Sequence, residues 1–205
     1  MLSNQAITPN ALELLKTLSA RPELNELRLV GGTSLALQYG HRQSVDLDFF
    51  GHLNTDQDKL IAILKDIGSL IVTNKTPNIL QTIINNVKID FVEYGYYKWI
   101  DEPVIEDGFF LASDKDIAAM KINAIIGRGS KKDFIDLYVL LQHYSLSDIL
   151  CFYKLKYPEY SEYRALLSLT YIEDAEMQDM PKMFINDSWD TIKRTIIESV
   201  KSYQE

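Results

Sequence analysis

The chain has 205 residues, is 46% hydrophobic and 24% charged, and carries a formal net charge of −8. That length and composition fit a soluble globular protein of one large or two small domains with a proper core. An acidic chain is a poor candidate for broad, non-specific binding along a nucleic-acid backbone, which rests on many Lys and Arg contacts. Its one cysteine, Cys151, excludes an internal disulfide and fits a reducing compartment. Met1–Asn10 lacks the basic and apolar regions of a signal peptide, and no apolar run is long enough for a membrane span. The expected location is the cytoplasm.

Thr8-Pro9-Asn10 opens a helix that continues through Ser19 with Leu12, Leu15 and Leu18 at helical spacing. Glu26–Val30 reads as a short strand stopped by Gly31-Gly32. Thr33–Tyr39 follows as a short helix with Gly40 as its C-terminal cap. Ser44–Phe50 alternates Val45, Leu47 and Phe49 against Ser44, Asp46 and Asp48, the period of a strand. Asp56–Ile67 is helical. Three β-rich runs come next, Leu70–Thr73, Ile79–Ile84 and Val87–Val92, the last two joined by the turn pair Asn85-Asn86. Beyond Trp99–Asp107 the character changes. Helices are predicted over Ser113–Gly127, Lys131–Tyr144, Ser147–Lys156, Glu162–Leu169 and Ser188–Ser202. The expected organisation is a mixed α/β core over residues 1–105 and a helical region over 106–205 that completes the active-site cleft.

Asp46 and Asp48 are the residues a simple core strand would not contain. Two apart on a strand, they share a face. Adjacent carboxylates in a half-buried place are costly unless protons or cations neutralise them, and a hard divalent cation such as Mg²⁺ is the usual solution. Asp90 sits in a second β-run between Ile89 and Phe91. Three acids on adjoining strands can hold two metal ions. Gly31 and Gly32 let backbone amides approach a ligand, the following helix offers its N-terminus to phosphate, and Thr33 and Ser34 add hydroxyls.

This pattern resembles the polymerase-β-like nucleotidyltransferase superfamily, and more closely its AbiEii-type group, the toxin component of abortive-infection and type IV toxin–antitoxin systems. The match runs through Gly31, Gly32, Thr33, Leu35, Gly40, His41, Arg42, Ser44, Asp46, Asp48, Phe49 and Phe50. A downstream block matches at Lys121, Ala124, Arg128, Lys132, Asp133, Asp136 and Leu137. The resemblance implies an α+β fold: a polymerase-β-like core with a small mixed or antiparallel sheet, followed by helices. It implies that Asp46, Asp48 and Asp90 bind two Mg²⁺ ions and that Asp90 helps activate the acceptor hydroxyl. Gly31, Gly32, Thr33 and Ser34 would hold the nucleotide's phosphates, and Lys121 would touch the triphosphate. Lys121 and Arg128 lie two helical turns apart and suit an anionic ligand. Asp133 or Asp136 would orient one of them; three residues apart, they face nearly the same way.

Other residues carry plainer readings. Arg42, with His41 and Ser44 in the same loop, more often fixes such a loop than binds phosphate. His52 and His143 read as surface or packing residues. Lys131 and Lys132 form a basic step with Arg128 that could meet RNA or simply face solvent. Tyr94, Tyr96, Tyr97 and Trp99 could stack on a base, though a packed seam is favoured. Cys151 is expected in the core. The function expected is transfer of NMP from an NTP to an acceptor hydroxyl, on an RNA or tRNA 3′ end or a protein, by a toxin with a cognate antitoxin encoded nearby. The rivals are a small-molecule, antibiotic-type nucleotidyltransferase or pyrophosphotransferase, and a catalytically silent nucleotide- or partner-binding protein.

Overall fold

A computed structural model describes residues 1–204. It divides into two compact units, one formed by Met1–Tyr97 with Pro103–Ala112 and the other by Lys98–Glu102 with Ser113–Glu205. The division falls a few residues beyond the expected one, and a short segment is exchanged across it. No helix among the described residues is long and apolar enough to cross a membrane.

The first unit begins with α1 (Pro9–Ser19), capped by the Thr8 hydroxyl, followed by β1 (Leu27–Val30) and α2 (Gly31–Tyr39). Gly40 closes α2 in the left-handed conformation, as its type predicts. Next are β2 (Leu47–Gly51), α3 (Gln57–Lys65), β3 (Leu70–Thr76), β4 (Ile79–Ile84) and β5 (Val87–Glu93). Asn85 and Asn86 both take positive φ, the backbone that a two-residue hairpin turn requires. The strands β6 (Val104–Glu106) and β7 (Phe109–Leu111) lie where the sequence suggested only a join. Asp107-Gly108, both at positive φ, make the turn between them.

All seven strands form one mixed sheet in the order β3-β4-β5-β2-β1-β7-β6. The sheet is mixed, as expected. At its centre β2 runs antiparallel to β1 and parallel to β5. One face is apolar: Leu47 and Phe49 of β2, Ile89 and Phe91 of β5 and Leu29 of β1 join Leu14, Leu15 and Leu18 of α1 and Leu60 and Leu64 of α3 in one core. The register partners Phe49 and Phe91 stack at 5.6 Å. Fully burying each such side chain stabilises the unit by about 1.5–3 kcal/mol. Strand periodicity therefore turns Asp48, Asp90 and Lys88 to the other face.

The second unit is helical: α4 (Asp114–Gly127), α5 (Lys131–Leu141), α6 (Leu146–Lys156), α7 (Glu162–Thr170), the single turn α8 (Glu173–Glu176) and α9 (Trp189–Gln204). Ser113 caps α4, and Ser145 with Asp148 forms a capping box on α6. An ion pair lies inside this unit. Lys156 Nζ is 2.7 Å from Asp116 Oδ1, and neither side chain touches water. Asp116 also accepts from the Ile100 amide at 2.9 Å, while Lys156 donates to the Lys98 carbonyl at 3.1 Å and covers the Trp99 ring. These bonds fasten residues 98–102 to the helices.

Two expectations need correction here. Cys151 is exposed, because the buried face of α6 is carried by Leu146, Ile149, Leu150, Tyr153 and Lys156 at helical spacing. Lys131 is buried rather than part of a surface step. Its ammonium donates to the carbonyls of Glu176 and Gln178 and sits over the Trp189 ring, so it ties α5 to α8 and α9. Lys132 alone of that pair is exposed.

Candidate active site

The parallel pairing of β2 with β5 puts Asp48 directly opposite Asp90. Register partners project to the same face, so the two carboxylates stand side by side in the middle of the sheet. Asp48 is also the partner of Val30, the last residue of β1 before the glycine turn. Gly31 takes φ +67°, and a Cβ placed on it would lie 2.7 Å from Asp48 Oδ2. Only glycine lets the turn and the carboxylate approach this closely. The amides that open α2 have no side-chain cap. A carboxylate pair and the uncapped start of a nine-residue helix thus meet at one end of β1 and β2.

Asp90 is held asymmetrically. Its Oδ2 accepts from Gln81 Nε2 at 2.8 Å and lies 3.2 Å from Lys88 Nζ. Its Oδ1 is buried and has no hydrogen-bond partner among the described residues. Orphaned buried oxygens are rare because they are expensive, and one on a carboxylate marks a place for a cation or donor. Sequence reasoning missed both holders, although signals for them exist. Lys88 is two residues before Asp90 and so shares its face. The two-residue turn at Asn85-Asn86 pairs Ile84 with Val87, and counting back from there puts Gln81 opposite Asp90.

Asp46 stands differently from the expectation. The strand begins at Leu47, not Ser44, because the preceding backbone is engaged elsewhere. Ser44 bridges to Ile7, and its amide donates to the Ala6 carbonyl at 2.7 Å. The Thr33 hydroxyl donates to the Asp46 carbonyl and lies 2.8 Å from the Ser44 hydroxyl. Thr33 and Ser34 are buried, and Ser34 receives Gln38 Nε2 at 3.2 Å. Both hydroxyls expected at phosphate are thus used inside the protein, Thr33 to fix the segment that carries Asp46. Arg42 and His41 are buried in the same loop, Arg42 donating to the Gln43 carbonyl at 3.1 Å.

The second unit gathers the downstream block. Lys121 Nζ is 3.0 Å from Asp133 and 2.5 Å from Asp136, so both acids hold it. Asp133 also receives Arg128 through Nε at 2.9 Å and a terminal nitrogen at 3.1 Å, and the Ser130 hydroxyl at 2.6 Å. Burial raises the Asp133 pKa, but Lys121, Arg128 and Ser130 outweigh it and keep the carboxyl well below the usual range. Lys121 is buried, whereas the Arg128 side chain is 66% exposed. The aromatic cluster divides: Tyr94 packs on Phe50 and Tyr97 in the first unit, Tyr96 is exposed, and Trp99 lies under Lys156 in the second. His52 is a surface residue 3.3 Å from Glu93, and His143 is exposed.

Among the described residues no three His, Cys, Asp or Glu side chains are grouped so as to hold a metal ion by themselves. The donors present nevertheless suit Mg²⁺. It is a hard cation that is commonly held by one or two carboxylates and completed by substrate phosphates and water. The orphaned Asp90 oxygen beside Asp48 is that kind of partial donor set.

The family described as nucleotidyl transferase AbiEii toxin, type IV TA system, matches residues 13–108, which include the glycine turn and both carboxylate strands. The uncharacterized protein aq_aa25 of Aquifex aeolicus is 34% identical over 193 residues, spanning 88% of this chain and 89% of its own. Among solved structures, JHP933 of Helicobacter pylori has a TM-score of 0.53 at 19% identity, over 100% of this chain and 97% of its own. The nucleotidyltransferase toxin MenT4 of Mycobacterium tuberculosis has a TM-score of 0.56 at 13% identity, over 91% of this chain and 79% of its own. At such identities these two bear on the fold alone, which is the polymerase-β-like nucleotidyltransferase fold. The family match and the near full-length relative go further: this chain is a nucleotidyltransferase and belongs to the AbiEii toxin family.

Proposed function

We propose that the chain transfers a nucleoside monophosphate from an NTP to an acceptor hydroxyl, with Mg²⁺ held by Asp48 and Asp90, and with Asp46, from the segment just before β2, as a further ligand. The observation that carries this reading is the Asp48–Asp90 pair over the Gly31 turn, with the buried Asp90 Oδ1 lacking a partner. When bound, Mg²⁺ neutralises phosphate charge and polarises the reacting phosphoryl group. The chain's own residues do the rest. The amides at the start of α2 and the Gly31-Gly32 backbone face the triphosphate. Thr33 keeps Asp46 in place through its carbonyl. Asp90, adjoining Asp48, receives the proton of the attacking hydroxyl. The acceptor oxygen forms a bond to the α-phosphorus as the bond to the pyrophosphate oxygen breaks.

The resemblance gives Lys121 and Arg128 to the phosphates as well. Lys121 is enclosed by two carboxylates, whereas the Arg128 side chain, paired with Asp133, is largely exposed. The acceptor proposed is an RNA 3′ end, tRNA included, or a protein hydroxyl. The partner proposed is the cognate antitoxin of a type IV system, after the family's description.

The test is to incubate the protein with Mg²⁺, total cellular RNA and each α-labelled NTP in turn, beside Asp48→Asn and Asp90→Asn. Label entering RNA or protein, lost in both variants, is the expected result. Incorporation that survives both substitutions would overturn the assignment of the site.

A further inference from the structure

We propose that Gln81 is a positioning residue for Asp90, fixing its carboxylate so that Oδ1 is the oxygen offered to the bound cation. The inference rests on the reading of Asp48 and Asp90 as cation ligands, and deepens it.

The argument starts on the edge strand. β3 pairs with β4 in regular antiparallel register from Leu70↔Ile84 to Val72↔Thr82 and then shifts, resuming at Asn74↔Gln81. Thr73 is the extra residue, and its hydroxyl donates to the Gln81 carbonyl at 3.1 Å. A bulge of this kind re-aims the side chain that follows it. Here it puts Asn74 opposite Gln81, with Asn74 Nδ2 3.2 Å from Gln81 Oε1. The Gln81 amide is thereby turned, oxygen to Asn74 and nitrogen to Asp90.

The next strand completes the relay. Gln81 is the register partner of Asp90 on β5, and its Nε2 donates to Oδ2 at 2.8 Å. An ionised carboxylate only accepts, so the amide orientation follows from chemistry. Lys88, two residues before Asp90, brings its ammonium within 3.2 Å of the same oxygen. Both donors converge on Oδ2 and none reaches Oδ1, which is buried. A carboxylate held at one oxygen has its rotamer fixed and its other oxygen reserved. That is the outer-shell arrangement by which proteins orient cation-binding groups, and its loss typically costs 10–100-fold in affinity or activity. Lys88 is half-exposed, so the buried share of the work falls to Gln81.

The experiment compares Gln81→Met, which keeps the length and removes the donor, with Gln81→His, which supplies a neutral ring N–H donor. Mn²⁺ affinity of the full-length protein is read by electron paramagnetic resonance, with no need for turnover. Labelled NTP incorporation gives kcat and KM, and thermal unfolding reports on the fold. Gln81→Met is expected to weaken Mn²⁺ binding and lower kcat about tenfold with KM for NTP little changed. Gln81→His is expected to recover part of both. Wild-type Mn²⁺ affinity in Gln81→Met would overturn the positioning role. So would equal losses in both variants with a lowered melting midpoint, which would assign Gln81 to strand pairing. If Asp48→Asn and Asp90→Asn bind Mn²⁺ as wild type does, the cation site itself fails, and that outcome is distinct from the other two.

Discussion

Lys121 and Asp133 meet at 3.0 Å with both side chains withdrawn from water, and Asp136 closes on the same ammonium at 2.5 Å. One cation between two buried acids is a charge balance that survives only while every member is present. Replacing Lys121 by Met leaves two buried carboxylates with the Arg128 guanidinium, paired with Asp133 alone, and leaves Asp136 without its ammonium. Removing one partner of a buried pair costs about 3–5 kcal/mol, and Arg128, whose side chain is largely exposed beyond its two bonds to Asp133, contributes less than the enclosed Lys121. Denaturant unfolding should show Lys121→Met strongly destabilised and Arg128→Ala destabilised less. Equal losses would show that the network is not buried as described. It follows that lost activity in a Lys121 variant, taken without a stability measurement, says nothing about phosphate contact.

The same network sets an acid limit. Burial raises the Asp133 pKa, but Lys121, Arg128 and Ser130 bring it well below the ordinary value of 3.8. A carboxyl whose folded pKa is depressed contributes stability that is fully present above its unfolded pKa. That stability is lost as pH falls through the unfolded value toward the folded one. Unfolding free energy measured by denaturant should therefore drop between about pH 5 and pH 2. Asp133→Asn should be less stable at neutral pH and flatter over that window. A variant with the wild-type slope would assign the acid sensitivity to other groups.

How far the sequence carried this picture depends on the range of the interactions. Period-two alternation put Asp48 and Asp90 on strands, and the Asn85-Asn86 turn implied the β4–β5 register. What local pattern could not show was which strands neighbour one another. The β2–β5 pairing joins residues far apart in sequence, so the facing of Asp48 and Asp90 was open until the fold closed it. Asp46 lies one residue outside β2 for the converse reason. Its segment has strand periodicity, but the backbone is bonded to Thr33 at Asp46 and to Ala6 at Ser44, and the strand begins only at Leu47. Cys151 and Lys131 show the limit of residue type as a guide to burial. A lysine is buried here because two carbonyls and an indole receive it, and those lie on segments distant in sequence.

Thr33 offers a test of that tertiary hold on Asp46. Its hydroxyl donates to the Asp46 carbonyl and contacts the Ser44 hydroxyl, all within a buried region. Thr33→Val keeps the shape and removes the donor, leaving a carbonyl without its partner at a cost of about 1–3 kcal/mol. Thr33→Ser retains the bond. Thermal unfolding and NTP incorporation measured together should place Thr33→Ser near wild type and Thr33→Val below it in both. If Thr33→Val keeps full stability but loses NTP binding, the hydroxyl serves the phosphate instead, as the family resemblance first implied.

Gly31 separates backbone strain from the displacement of a functional group. At φ +67° an alanine pays about 1–2 kcal/mol, and its Cβ would stand 2.7 Å from Asp48 Oδ2. The colliding atom is the end of a side chain, so the fold absorbs the contact by turning the carboxylate away. Gly108 supplies the control. Its φ is +80°, and a Cβ there would meet nothing within 4 Å. Gly31→Ala and Gly108→Ala should therefore lose similar, modest stability, while only Gly31→Ala loses transfer activity. That loss should be on the order of a hundredfold, the scale of a misplacement of about 1 Å at a reacting centre. Equal activities in the two variants would show that the approach of the turn to Asp48 is a packing feature of the sheet end, without a part in the chemistry.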